Sequence, residues 1–302
     1  MFFLPTSVEW INGYLIFSYH DQLIQDLDFS GLTEIENYIN VNYNTGLTGL
    51  DLSALENVGG GIQIYDNDDM TWADLGQLTT IPGYLYLYGN AELETIDSYL
   101  YIYDNDVLTD LPTQNLTEVG SYISMYYNPF FVNVDLSGLT EIGSYLQIYG
   151  NADLETLDVS NVERILGNLY IYDNDNLTLI DTSSLQTVNG YFDVNQNDQL
   201  VELESTSLSS VGSYLYIYSN DLLETIVLSG LETVDSYTTI SYNYDLTELD
   251  LSSMTDAGSS FTMTYNSAYP ECEVDNLFDD LNTAGWSGTT TNTGQGSSAT
   301  CL

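Results

Sequence analysis

Apolar residues recur along this chain at the same places in a unit of 23. Residues 139 to 161, "LTEIGSYLQIYGNADLETLDVSN", show the pattern: Leu139, Ile142, Leu146, Ile148, Leu154, Leu157 and Val159 stand at positions 1, 4, 8, 10, 16, 19 and 21. Units open at Val8, Leu32, Leu55, Leu78, Leu93, Leu116, Leu139, Val162, Leu185, Leu208, Leu231 and Met254. The step is 23 throughout, except 24 after Val8 and 15 after Leu78. Twelve units run from about 8 to 270 without a linker, so the chain reads as a single domain built from repeats.

Within each unit, positions 7 to 11 alternate polar and apolar. That period of two predicts a short strand. Position 13 is Asn in eleven units, namely Asn44, Asn67, Asn90, Asn105, Asn128, Asn151, Asn174, Asn197, Asn220, Asn243 and Asn266; His20 takes the place in the first. An Asn after a strand marks a turn, and its amide can bond backbone groups inside a coil. "LDLS" at 50–53, echoed at 249–252, predicts a second, shorter strand. A unit this short cannot bury its apolar side alone, so neighbouring coils must share one core. The expected fold is all-β: a single-domain parallel β-solenoid of about twelve 23-residue coils with an Asn ladder and one C-terminal cap helix.

The pattern breaks at "CEVDNLFDDLNTAGW". Val274, Leu277, Phe278 and Leu281 have helical spacing, and Gly285 is placed to end the helix. The expected layout is an N-terminal cap and first coil over 1–31, repeats over 32–270, and a cap helix with its tail over 271–302.

The outward strand positions carry tyrosine. Position 7 has Tyr14, Tyr38, Tyr84, Tyr99, Tyr122, Tyr145, Tyr191, Tyr214 and Tyr237. Position 9 has Tyr86, Tyr101, Tyr170 and Tyr216; position 11 has Tyr65, Tyr88, Tyr103, Tyr126, Tyr149, Tyr172 and Tyr218. Twenty of the 27 tyrosines therefore share the face opposite to the aliphatic residues. Near the chain ends position 12 carries them instead, in Tyr19, Tyr43, Tyr242 and Tyr265. The densest zone is "YLYLY" with "YLYIY", at Tyr84, Tyr86, Tyr88, Tyr99, Tyr101 and Tyr103, on either side of the 15-residue step. A second zone holds Tyr170, Tyr172, Tyr214, Tyr216 and Tyr218. The shortened unit should trim the far side of a coil and leave the rows continuous. Stacked aromatics support a sheet, and a large exposed aromatic face marks an interaction site. Both readings predict the same register, as does self-association through the face.

Charge narrows the setting. Arg164 is the only Lys or Arg against 45 acidic residues, giving a net charge of -44. Such a surface repels nucleic acid and anionic membranes and suits a salty or calcium-rich medium. No apolar run is long enough to span a membrane. "MFFLPTSVEW" lacks the basic segment and apolar length of a secretory signal, so export would need a signal outside this sequence. Cys272 and Cys301 are the only cysteines. A disulfide between them would close the tail and suit an oxidising compartment; two free thiols are the alternative.

Candidate chemistry is sparse. "YDNDD", "YDNDV" and "YDNDN" place Asp66 and Asp68, Asp104 and Asp106, Asp173 and Asp175 beside the turn Asn. Alternating carboxylates can ligate calcium, but turn chemistry explains them as well. An acidic position 20 (Asp51, Asp74, Asp135, Asp158, Asp181, Glu204, Asp250) reads as a cation stripe or a solvated face. His20 is the only His and is expected to be structural. With no Lys, no second His and no nucleophile motif, the chain does not read as an enzyme; only carboxylate pairs could act, as in glycoside hydrolysis. No cofactor is expected other than calcium.

The run "LTEIGSYLQIYGNADLETL" resembles leucine-rich repeats with shifted spacing: apolar residues lie five and three before the Asn, and the next comes three after it. With Ile142 and Gly143 ahead of the strand, it looks most like the receptor L-domain group, found in growth-factor receptor ectodomains and bacterial surface proteins. "CEVDNLFDDLNTAGWSGTT…ATC" resembles the cysteine-clasped tails of bacterial relatives. The scarcity of cations is similar to that of secreted calcium-dependent adhesins. The resemblance implies the fold and a protein that binds ligands rather than one that catalyses, and it bears hardly at all on the ligand class. Taken with the tyrosine rows and the charge, the expectation is an extracellular or cell-surface module, part of a larger secreted adhesin, holding glycan or peptide on another cell or surface. Its site would be Tyr84, Tyr86, Tyr88, Tyr99, Tyr101, Tyr103, Tyr122, Tyr126, Tyr145, Tyr149, Tyr170, Tyr172, Tyr214, Tyr216 and Tyr218. The alternative is a structural solenoid whose tyrosine face mediates dimerisation.

Overall fold

A computed structural model describes residues 2–3, 8–20, 26–67, 69–70, 72–74, 80–81, 85–86, 95–96, 99–103, 110–111 and 116–296. The chain winds as a parallel β-solenoid of about nine turns. Twelve coils were expected; the units opening at Leu78 and Leu93 lie mostly outside the described residues.

Each coil has three sides. The main side is a 13-stranded sheet, every pair parallel. The run from Leu100–Tyr103 through Ile123–Tyr126, Leu146–Tyr149, Leu169–Tyr172 and Phe192–Asn195 to Tyr214–Tyr218 holds one register, residue i facing i+23. A second side carries two-residue strands such as Glu141–Ile142, and a third carries strands such as Thr156–Asp158. The 15-residue step keeps the frame: Leu85 pairs with Ile62 on one side and Leu100 on the other, and Ile81 pairs with Ile96.

Burial follows the 23-residue pattern. Leu139, Ile142, Leu146, Ile148, Leu154, Leu157 and Val159 are all fully buried. Each contributes about 1.5–3 kcal/mol relative to exposure, which offsets the backbone entropy of ordering the coil. The strands read buried, half-buried, buried, half-buried along Leu146–Tyr149 and Leu169–Tyr172. Aliphatic side chains thus fill the interior, and the tyrosines project outward, partly covered by their neighbours.

The Asn ladder closes the turns. Asn128, Asn151, Asn174, Asn197, Asn220 and Asn243 are fully buried. Each backbone N–H donates to the Oδ1 of the next Asn at 3.0–3.3 Å. Each Nδ2 donates back to a strand carbonyl of the preceding coil at 3.0–3.1 Å. His20 enters through its backbone N–H, which donates to Asn44 Oδ1 at 3.1 Å, while its ring stacks on Phe17. Among the described residues, the one before each ladder position adopts left-handed φ, from Tyr19 (62°, before His20) through Tyr43, Asp66, Tyr127, Gly150, Asp173, Gln196, Ser219 and Tyr242 to Tyr265 (58°). Asp tolerates that conformation better than most residues, which accounts for Asp66 and Asp173.

The acidic position 20 is turn chemistry too. Asp51, Asp135, Asp158, Asp181 and Asp250 each accept the N–H of the Ser two residues on, at 2.9–3.1 Å.

The cap helix spans Glu271–Ala284 and buries Val274, Phe278 and Leu281. Phe278 packs edge-on against Phe261. Gly285 (φ 101°) ends it, with its N–H on the Asn282 carbonyl and the Trp286 N–H on that of Leu281. Beyond the helix the chain differs from the sequence reading, which expected only a tail. Thr289–Thr293 adds the thirteenth strand of the main sheet, paired with Ser260–Thr264. Gln295 Oε1 then accepts the Asn266 N–H at 3.2 Å and ends the ladder. The helix is therefore the crossover of one more coil. Cys301, and with it the expected bridge to Cys272, lies outside the described residues. So do residues 1, 4–7 and 21–25 of the expected N-terminal cap and first coil, where Phe2–Phe3 pairs with Leu27–Asp28.

Candidate functional site

Strands repeat at about 4.8 Å across a sheet, which is also a comfortable distance for aromatic stacking. Tyrosines at equal positions of consecutive coils therefore stack. Tyr99, Tyr122 and Tyr145 form one column, with centroids 4.7 and 4.5 Å apart and nearly parallel planes. Tyr126, Tyr149 and Tyr172 form a second, at 4.6 Å per step. Tyr191, Tyr214 and Tyr237 form a third. Ring faces inside a column are occupied by neighbouring rings, so the columns offer edges and hydroxyls to solvent.

Hydroxyls also join the columns laterally. Tyr101 and Tyr126 share a hydroxyl–hydroxyl bond, and Tyr216 donates to Tyr237 at 2.7 Å. Burial, followed by the neighbouring phenols, pushes Tyr122 and Tyr149 up to about 12. Tyr170 is also pushed up to about 12, by burial and then by Tyr191 and Asp193. The phenols stay protonated across the physiological range and keep a donor available.

Of the expected site residues, Tyr84 and Tyr88 lie outside the described residues, and Tyr86 and Tyr103 are described only in backbone. Tyr99, Tyr101, Tyr122, Tyr126, Tyr145 and Tyr149 form one contiguous patch. Tyr170 and Tyr172 are separated from Tyr216 and Tyr218 by the strand Phe192–Asn195, which carries Asp193 and Asn195 where its neighbours carry rings. Tyr170 leans edge-on to Tyr191, and Asn195 Nδ2 donates to Asp193 Oδ1 at 2.6 Å. Burial raises the Asp193 carboxyl above the usual carboxylate range, with the Asn195 bond acting against it.

Asp193, Asn195 and Tyr191 were not singled out from the sequence as site residues. The signal was present: "YFDVNQN" stands where the next unit reads "YLYIYSN". Also missed was Tyr127, which is half exposed and meets Tyr126 and Tyr149 edge-on from its left-handed position.

Of the calcium candidates, Asp68, Asp104 and Asp106 lie outside the described residues. Among those described, no three His, Cys, Asp or Glu residues gather as a metal site. Asp175, Asp198 and Asp221 fall at one position of successive coils; burial and then repulsion from Asp221, Asp175 and Asp173 raise the Asp198 carboxyl. A groove of about 430 Å³ lies on the third side, between Leu179–Asp181 and Glu202–Glu204, away from the tyrosines. Searches of protein families, curated proteins and solved structures return no match to this chain.

Proposed function

We propose that this chain is an extracellular binding module, the surface-recognition part of a bacterial adhesin of leucine-rich-repeat and receptor L-domain type. Its main sheet would hold glycan or peptide. The supporting observation is the set of phenol columns on a half-exposed sheet, with rings stacked at strand spacing and hydroxyls protonated. Rigid aromatic area that carries a hydroxyl binds at low entropic cost. Because ring faces inside the columns are covered, contact there runs through hydroxyl hydrogen bonds and ring edges rather than sugar–face stacking. Repetition at strand spacing favours an extended polymer held by many weak contacts.

The test is a glycan array and a peptide array probed with wild type and with Tyr122→Phe, Tyr145→Phe and Tyr149→Phe combined. Phe keeps the stacking and removes the hydroxyl. Loss of signal in the variant supports the reading, and equal signals overturn it. The dimerisation reading meets an opposing charge, since two copies at -44 each would be brought face to face. Light scattering against concentration decides between them.

A further inference from the structure

Asp193 stands in an aromatic slot. The main-sheet register places it opposite Tyr170 on one neighbouring strand and Tyr216 on the other, and it places Asn195 between Tyr172 and Tyr218. Two strand spacings separate the flanking tyrosine pairs, about 9.6 Å. The ring of Tyr170 leans toward Tyr191 and that of Tyr216 toward Tyr237, which leaves the space over Asp193 and Asn195 between them without a ring.

The slot is open because one stacked column stops there. Tyr172 stacks on Tyr149 on one side, and the next place in its column is Asn195, which has no ring. Among the described residues, the ring that Tyr218 meets is Tyr216, edge-on. Tyr191 closes the side toward position 7, stacked on Tyr214 and edge-on to Tyr170. Burial raises the phenols of Tyr170, Tyr172 and Tyr218, and the nearby Asp193 charge adds to each.

Among the described residues the carboxylate has one hydrogen-bond partner, the neutral Asn195 amide. The chain has no cation to offer. Its single Lys or Arg is Arg164, on the second side of the coil, where it pairs with Glu141. A half-buried negative charge walled by rings and lacking a counter-ion is the environment that selects an organic cation.

We propose that the slot formed by Tyr170, Tyr172, Asp193, Tyr216 and Tyr218 binds an alkylammonium group. Asp193 would neutralise the charge, and the flanking rings would pack against the methylene or methyl groups. This rests on the reading of the tyrosine sheet as a binding face and names one determinant of its ligand.

The experiment titrates the whole chain with Nα-acetyl-lysine methylamide, choline and Nα-acetyl-norleucine methylamide, following tyrosine ring signals by NMR. Lysine and choline represent the two sources of an alkylammonium, a protein side chain and a trimethylammonium head group; norleucine has the chain without the charge. Shifts confined to the slot tyrosines with lysine or choline, and none with norleucine, support the proposal, and the tighter probe identifies the source. Asp193→Asn keeps the shape and is expected to weaken binding at least about tenfold, with its fold checked by circular dichroism. Equal binding of norleucine, equal binding by Asp193→Asn, or no slot shift with either cation overturns the proposal. The arrays above separate the two ideas: a wild type that binds glycan or peptide but neither cation loses the slot and keeps the face.

Discussion

The backbone N–H of Asn128 donates to Oδ1 of Asn151 at 3.0 Å, while Nδ2 of Asn151 donates to the Met125 carbonyl at 3.1 Å. One side chain thus satisfies a donor and an acceptor of the preceding coil, in a place that water does not reach. Asn151→Ala orphans the Asn128 N–H and removes the bond to the Met125 carbonyl. A buried unsatisfied group costs about 1–3 kcal/mol, so the variant should lose at least about that much. Urea unfolding against wild type measures it; a loss under about 1 kcal/mol would mean that the ladder is not what ties the coils together.

Much of this was legible because the ladder and the core are periodic. Leu146 and Ile148 fix the face of a strand, and a 23-residue step repeats the decision until chance is excluded. What could not be read was aperiodic. Thr289–Thr293 is one strand with no repeat around it, and its identity as the thirteenth strand depends on the helix folding back first. The slot at Asp193 is likewise defined by two rings that are missing. Column stacking is a property of the folded sheet as well: the repeat places tyrosines on one face, but does not show that Tyr122 covers the face of Tyr145.

The left-handed residue before each Asn makes a local prediction. Gly150 has φ 64°, and a Cβ there would sit 2.5 Å from the Tyr127 ring. Gly150→Ala combines left-handed strain of about 1–2 kcal/mol with that clash. It should destabilise by at least about 1–2 kcal/mol, whereas Ser219→Gly, at φ 55°, should be neutral or slightly stabilising because relief of strain offsets the entropy of glycine. Thermal melts of both check the ordering, and a stabilised Gly150→Ala would refute it.

Alkaline pH should unfold this protein through its columns. The phenols of Tyr122, Tyr149 and Tyr170 are raised to about 12 from an ordinary value near 10. A group raised by folding adds stability that is complete below its unfolded pKa and lost as pH climbs through the folded one. Stability should therefore be level to about pH 10 and fall between about 10 and 12. Absorbance at the phenolate band, followed with circular dichroism, should show these tyrosines ionising late and together with loss of structure. Ionisation of all 27 near pH 10 in a folded chain would contradict this.

Trp286 anchors the terminal crossover. It is buried, and its Nε1–H donates to the Gly258 carbonyl at 2.6 Å. Trp286→Ala should cost about 3–5 kcal/mol, felt first where the thirteenth strand pairs with Ser260–Thr264. Releasing that strand bares a sheet edge, which templates association between chains. Hydrogen exchange should rise at residues 289–293 before the central coils, and the variant should aggregate on concentration. Uniform exchange along the solenoid would show that the cap is not a separate unit.

Asp193 makes the remaining prediction, independent of any ligand. Its carboxyl is raised by burial, so folding opposes its ionised form. By the same linkage, the stability it adds is complete below about pH 4 and lost as pH rises through its folded value. At pH 7 the free chain carries an uncompensated charge. Asp193→Asn removes that charge and keeps an acceptor for the Asn195 amide. The variant should equal or exceed wild type in stability at pH 7 and lose that advantage near pH 3, where the wild-type carboxyl is neutral. Comparing the two melts at both pH values tests this directly. A variant less stable than wild type by a wider margin at pH 7 than at pH 3 would show that the ionised Asp193 is held by a favourable partner, leaving no unmet charge in the slot for a cation to neutralise.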